Sequence, residues 1–306
     1  MAHRAENGAA NIQRLLDVNA QTFRGLYYLR PVAMNLKTLV AFVLLILAGS
    51  ASNAQWQSGP RSVAMGGTSL TRTDAWSVFS NQGAMAFSET WSAAAFFENR
   101  FSVSGLSDKG AAARIPLGNG VAGVVFRSFG NHLYAESKAG LGYGLRLSEK
   151  FGAGVQANYI NYALGEGYGS RYNVTVDAGL YYRMNQHVSL AAHLANPTRA
   201  QLNDYNNERI PTLLRLGCGW KISDQVNVAA EAWQWAGTNA QFRAGVEYEP
   251  TERIAVRLGT STGPGTMSFG FGYKVKGFAF DVGTAWHQVL GFSPQLGLSF
   301  SPDPKP

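Results

Sequence analysis

Few residues in this chain are able to do acid–base chemistry. Beyond residue 54 the histidines are His132, His187, His193 and His287. Acyl transfer needs a nucleophile against a base, and a third group that orients the base. No Gly-x-Ser-x-Gly elbow occurs, and no serine or aspartate stands at a spacing that ties it to His193. His193 therefore reads as a solvated or hydrogen-bonded side chain. Gly165-Glu-Gly-Tyr-Gly169 has the glycine spacing of a phosphate cradle, but no helix follows to complete one. The run Asn203-Asp-Tyr-Asn-Asn-Glu208 offers Asp204 and Glu208 to a divalent cation, yet its spacing matches no calcium loop. It reads as a polar surface loop. The single cysteine, Cys218, excludes an internal disulfide and falls on an apolar parity, as a lipid-facing or packed thiol does. These patterns assign no catalytic residue, metal or cofactor, and the chain reads as a non-enzyme.

The elements that carry these residues are strands. In residues 254–300, Ile254, Val256 and Leu258 alternate with Ala255, Arg257 and Gly259. Met267, Phe269, Phe271 and Tyr273 alternate with Ser268, Gly270, Gly272 and Lys274. A period of two places one set on each face of a strand. One face is large and apolar. The other is glycine, serine or charge, which suits a confined lumen better than open water. Charged residues make up only 15% of the chain, against roughly 25% in soluble domains, and the mean hydropathy is −0.10. Low charge without long apolar runs is what an outer-membrane barrel requires, since only every second residue meets lipid.

The one apolar run, residues 39–48, follows Met34 and Lys37 and precedes Ser52-Asn-Ala54. That is the pattern of a secretory signal over 34–54, cleaved near Ala54 and too short to span a bilayer. Residues 1–33 then read as an over-extended start. Removing residues 1–54 takes away five basic and two acidic side chains and lowers the formal charge from +7 to +4. The remaining basic residues are scattered, which leaves nucleic-acid binding without support.

Residues 55–90 are not strand-like, and a plug within the lumen is expected there. Thr73-Asp74 is positioned to cap a helix over 75–79, and Asn81-Gln82-Gly83 to break it. A barrel is expected over 91–300 and a periplasmic tail over 301–306. Fourteen strands can be counted from 91–98 to 294–300. Short connections at 117–120, 148–150, 185–186, 222–225, 250–253 and 275–277 alternate with longer ones. Outer-membrane barrels show this asymmetry of periplasmic turns and outer loops.

Parity places Arg146, Asp177, Arg183, Arg215, Glu231, Arg243, Glu247, Arg257, Lys274 and Asp281 inward. Their mixed signs predict a structural charge network across the lumen and with the N-terminal segment, in preference to a selectivity ring. Tyr182, Trp220, Tyr248, Tyr273 and Phe300 fall where an aromatic girdle belongs. Val124, Val125 and Phe126 break the alternation, as a kinked lateral opening would. The loop 196–211, with Asn203, Asp204, Tyr205 and Glu208, is the expected contact for an extracellular partner.

Ser62-Val-Ala-Met-Gly-Gly-Thr-Ser69, followed by Asp74, Val78-Phe79 and Asn81, resembles the start of the FadL-like outer-membrane barrels. Within them it is most similar to the PorV/PorQ-type branch associated with type IX secretion. The residues that carry the resemblance are Met65, Gly66, Gly67, Asp74 and Asn81. Where that family has Asn-Pro-Ala, this chain has Asn81-Gln82-Gly83-Ala84. The resemblance implies fourteen strands with the N-terminal segment tucked inside. It also implies one of two roles: partner binding in secretion or surface assembly, or uptake of hydrophobic, fatty-acid-like compounds. Outer-membrane lipid is a partner in either case. The charged lumen and the long loop favour partner binding as the first expectation, with uptake as the alternative.

Overall fold

The structure, a computed structural model, describes residues 58–165, 169–203, 208–263 and 265–302. The signal segment, its cleavage site and residues 303–306 lie outside the described residues. Seven strands come before the long loop: β1 (Ser92–Asn99), β2 (Ser107–Leu117), β3 (Gly120–Gly130), β4 (Tyr134–Arg146), β5 (Phe151–Leu164), β6 (Gly169–Arg183) and β7 (Val188–Ala195). A small ribbon, β8 (Gln201–Asn203) and β9 (Glu208–Arg209), lies in that loop. Seven more follow: β10 (Leu213–Lys221), β11 (Val226–Trp235), β12 (Gln241–Thr251), β13 (Ile254–Ser261), β14 (Thr266–Val275), β15 (Phe278–His287) and β16 (Gly291–Phe300).

All but the ribbon form one closed, antiparallel, fourteen-stranded transmembrane β-barrel. Each strand pairs with its chain neighbours, and β1 pairs with β16 from Ala93↔Phe300 to Glu98↔Gln295. Closure leaves no free edge, the condition for placing a sheet in hydrocarbon. The alternation that defines the strands also sorts their faces. Leu141, Val174, Leu216, Phe242, Leu258 and Phe269 stand exposed on the outside, while Gln156, Asp177, Arg215, Glu247 and Arg257 are buried inside. Cys218 is exposed on the outer face.

Two expectations about the wall need correction. The longer connections are mostly tight, because the strands extend past the apolar band: β3 runs to Gly130 and β4 starts at Tyr134. Continuing the ladder satisfies backbone groups that a loop would leave to water. The β7–β10 loop is the longest connection, and residues 100–106 between β1 and β2 come next. Nor is β3 kinked, since it pairs in unbroken register with β2 and β4 along its length. Its consecutive valines serve both faces, Val124 outward and Val125 buried inward. The ladder that ends early is that between β6 and β7. It stops at Asp177↔Ala195, while β6 continues to Gly169.

Among the described residues three short helices precede β1: α1 (Pro60–Ala64), α2 (Ser77–Ser80) and α3 (Gln82–Met85). Asp74 Oδ1 accepts from Trp76 N–H at 3.1 Å, but α2 begins later than residue 75. Asn81 breaks the helical run as expected, in an extended conformation (φ −159°, ψ 108°) at the end of α2, but the next two residues open another helix. Asn81 caps α3, its side chain accepting from Gly83 N–H at 3.0 Å, an ordinary role for asparagine at a helix start.

Candidate functional site

The N-terminal segment touches inward-facing residues on every side of the barrel, so it lies within the lumen. Its backbone comes close to the wall because glycines there form flat patches. Gly245 and Gly259 are register partners on β12 and β13. A Cβ on Gly245 would lie 2.5 Å from Met65 O, and one on Gly259 would lie 2.0 Å from Gly66 N. Gly66 itself has φ +70°, and its own Cβ would meet Thr260 O at 2.5 Å. A second patch, Gly144, Gly154 and Gly179, lies in register across β4, β5 and β6 and receives Asn81 and Gln82. A third, Gly270 and Gly283, receives α1 through Ala64 and Pro60. The glycine-rich inner face is thus a docking surface for the chain's own N-terminal segment.

Charge fixes what shape allows. Asp281, Arg257, Glu247, Arg61, Asp74 and Arg72 form a chain of alternating sign. Arg257 donates to Glu247 and Asp281 at 2.6 Å each. Arg61 donates through Nε to Glu247 at 2.7 Å, again through Nη2, and through Nη1 to Asp74 at 3.1 Å. Arg72 closes on Asp74 from the other side. Burial alone would raise the Asp74 carboxyl, but the guanidinium groups of Arg72 and Arg61 outweigh it and hold the group at about 2.

A second cluster centres on Glu231. It accepts from the backbone N–H groups of Ser69 and Leu70, from Arg215 at 2.9 Å and from Trp233 Nε1 at 2.7 Å. The Arg215 and Arg243 guanidinium groups lie 4.0 and 3.5 Å from the Trp233 ring centroid. Arg243 is buried, and its Nε and Nη2 have no hydrogen-bond partner among the described residues. Asp177 accepts from Asn158 at 2.8 Å and from Lys138 at 3.4 Å.

The remaining inward charges stand apart. Arg146 and Arg183 lie over the Phe87 ring at 5.1 and 5.0 Å, and Lys274 pairs with Glu249 at 2.7 Å near the short-turn mouth. His193 is not solvated; it is buried, and neither ring nitrogen has a partner among the described residues. Asp204 and Tyr205 lie outside the described residues, as do the side chains of Asn203 and Glu208.

Residues absent from the sequence reading also hold the segment. Arg114 donates to Thr73 O at 2.7 Å and Ser77 Oγ at 2.8 Å, and Gln82 reaches Gln156 at 3.0 Å. The inward parity of β2 and β5 was the signal that would have found Arg114 and Gln156. At the loop end, Asp108 joins Arg100 and Arg127.

Two cavities matter. One, of about 360 Å³, opens at the short-turn mouth between residues 61–74 and the wall from β6 to β12. The other, of about 610 Å³, is an apolar groove on the outer wall around Leu190, Leu216, Ala230 and Phe242. Among the described residues no cluster of metal-ligating side chains occurs.

No protein-family model matches the sequence, and no curated protein matches it. Solved structures do match in shape. The toluene transporter TbuX of Ralstonia pickettii superposes with a TM-score of 0.61 at 12% identity, over 80% of this chain and 97% of that one. The barrel has the fold of these transporters. The toluene transporter TodX of Pseudomonas putida gives 0.60 at 13% identity, over 81% and 98%. A FadL homologue of Pseudomonas aeruginosa gives 0.59 at 11% identity, over 83% and 100%. The FadL-like fold is therefore common ground with the sequence reading.

Proposed function

We propose that this chain is an outer-membrane channel for hydrophobic small molecules, monoaromatic hydrocarbons among them. The observation that carries the reading is the match to toluene transporters over nearly their whole length. The occupied lumen favours it over general diffusion: glycine patches and buried ion pairs seat the chain's own N-terminal segment inside the barrel. The apolar outer groove supplies a surface on which such molecules partition, at a volume typical of ligand pockets. This puts uptake ahead of the partner-binding role favoured by the sequence alone.

The test is uptake of radiolabelled toluene by cells lacking their own hydrocarbon channels. Expression of this chain is expected to raise the initial rate several-fold. A rate equal to that of cells without it would reject the reading.

A second reading, a PorV/PorQ-like component of secretion, draws on one observation. The cavity inside the barrel carries the charged residues Arg61, Arg72, Asp74 and Glu247 in its lining, beside apolar ones such as Met65 and Tyr181. On this reading the loop with Asn203, Asp204, Tyr205 and Glu208 contacts a protein partner. Mass spectrometry after mild-detergent purification separates the two. A stoichiometric protein lost on shortening residues 196–211 favours secretion, and a bound hydrophobe without any protein favours uptake.

A further inference from the structure

The cavity of about 360 Å³ at the short-turn mouth has walls rich in donors. Four basic side chains line it, Arg61, Arg72, Arg183 and Lys221, against two acids, Asp74 and Glu247. Both acids are already engaged. Glu247 accepts from Arg61 and Arg257, and Asp74 from Arg61, Arg72 and the Trp76 N–H. Arg72 spends Nε and Nη2 on Asp74, and its Nη1 has no partner among the described residues. Arg183 lies over Phe87 and forms no ion pair among the described residues. Among the described residues Lys221 pairs with the solvent-exposed Asp224, an interaction that opens at little cost.

The floor is hydroxylic. Thr71 and Ser189 converge over Gly219, where a Cβ would lie 2.6 Å from Thr71 Oγ1 and 2.9 Å from Ser189 Oγ. Guanidinium groups with free N–H donors beside hydroxyls form the donor set that carboxylate and phosphate oxygens require.

We propose that this cavity binds a small carboxylate or phosphate anion, held by Arg72 and Arg183 above the hydroxyls of Thr71 and Ser189. The uptake reading does not enter this argument, and either can fail alone. The site places anion recognition at the opposite end of the barrel from the long β7–β10 loop.

The test is calorimetric titration of the full chain in mild detergent with inorganic phosphate and, separately, with succinate. Saturable binding of at least one is expected, and which one binds tells phosphate from carboxylate. Arg183→Gln, at a side chain that lies over the Phe87 ring and forms no ion pair among the described residues, is expected to weaken binding about ten-fold or more. Ser189→Leu fills the floor, leaves every charge in place and is expected to abolish binding. No heat with either anion overturns the proposal. So does an affinity unchanged in Ser189→Leu, a result that decides the matter even if Arg183→Gln does not fold.

Discussion

Arg61 and Glu247, 186 residues apart in the chain, meet in a two-pronged ion pair inside the barrel. Arg61 belongs to α1 and Glu247 to β12, so the pair ties the N-terminal segment to the wall. Arg257 and Asp281 extend the network across β13 and β15, and Asp74 and Arg72 return it to the segment.

Removing one member of a buried pair leaves an uncompensated charge and costs roughly 3–5 kcal/mol. Arg257→Met strands Glu247 and Asp281 in part, and is expected to lower the temperature of barrel unfolding markedly. Lys274→Met, at the partly exposed pair with Glu249, is expected to cost about 1 kcal/mol or less. Heat-modifiable gel migration across a temperature series measures both. Equal midpoints for the two variants would contradict the network's role.

Gly259→Val drives a side chain into the backbone of Gly66, where even a Cβ would lie 2.0 Å from the nitrogen. Overpacking of this kind costs about 1–3 kcal/mol, and here the segment is the part able to move. Trypsin is expected to cleave after Arg61 or Arg72 in the folded variant barrel while sparing the wild type. Ala230→Val, on the outer face of β11, is the control and is expected to stay resistant.

Acid should loosen the segment through Asp74. Its carboxyl is held at about 2 in the folded chain, against roughly 3.9 when unfolded. A depressed carboxyl stabilises the folded form fully above about pH 4, and the contribution fades as pH falls toward 2. Trypsin is inactive there, so pepsin accessibility of residues 58–91 between pH 4 and 2 is the measure. Asp74→Asn is expected to make the segment accessible already at pH 4 and to flatten the dependence. An unchanged profile in Asp74→Asn would assign the acid sensitivity elsewhere.

Arg243 is the reverse case. It is a buried cation with two N–H donors unpartnered among the described residues, and their desolvation cost stands against a cation–π contact with Trp233. Arg243→Met keeps a long side chain against Trp233 and is expected to unfold at or above the wild-type temperature. A clear loss of stability would show that the charge of Arg243, through Trp233 or an acceptor, outweighs its desolvation.

The strands were legible because alternation is a local property. In β13 and β14 the Leu258 and Phe269 parity was readable from neighbours alone, and the structure keeps both strands within one residue of the reading. The extension of β3 and β4 was not, since Gly130 and Tyr134 look like loop residues until their pairing is known. His193 was misjudged for a related reason. Its inward parity was visible, but its burial depends on what else occupies the lumen.

From the sequence alone came a fourteen-stranded barrel, the sign and direction of its inward charges, and a non-strand segment ahead of β1. Those follow from a period of two and from turn composition, which act over a few residues. Only the tertiary structure decided which charges meet and why the inner face is glycine. Arg61 finds Glu247, and Gly66 finds Gly259, because barrel closure brings distant strands around the N-terminal segment. No local pattern encodes an approach set by the radius of a closed sheet.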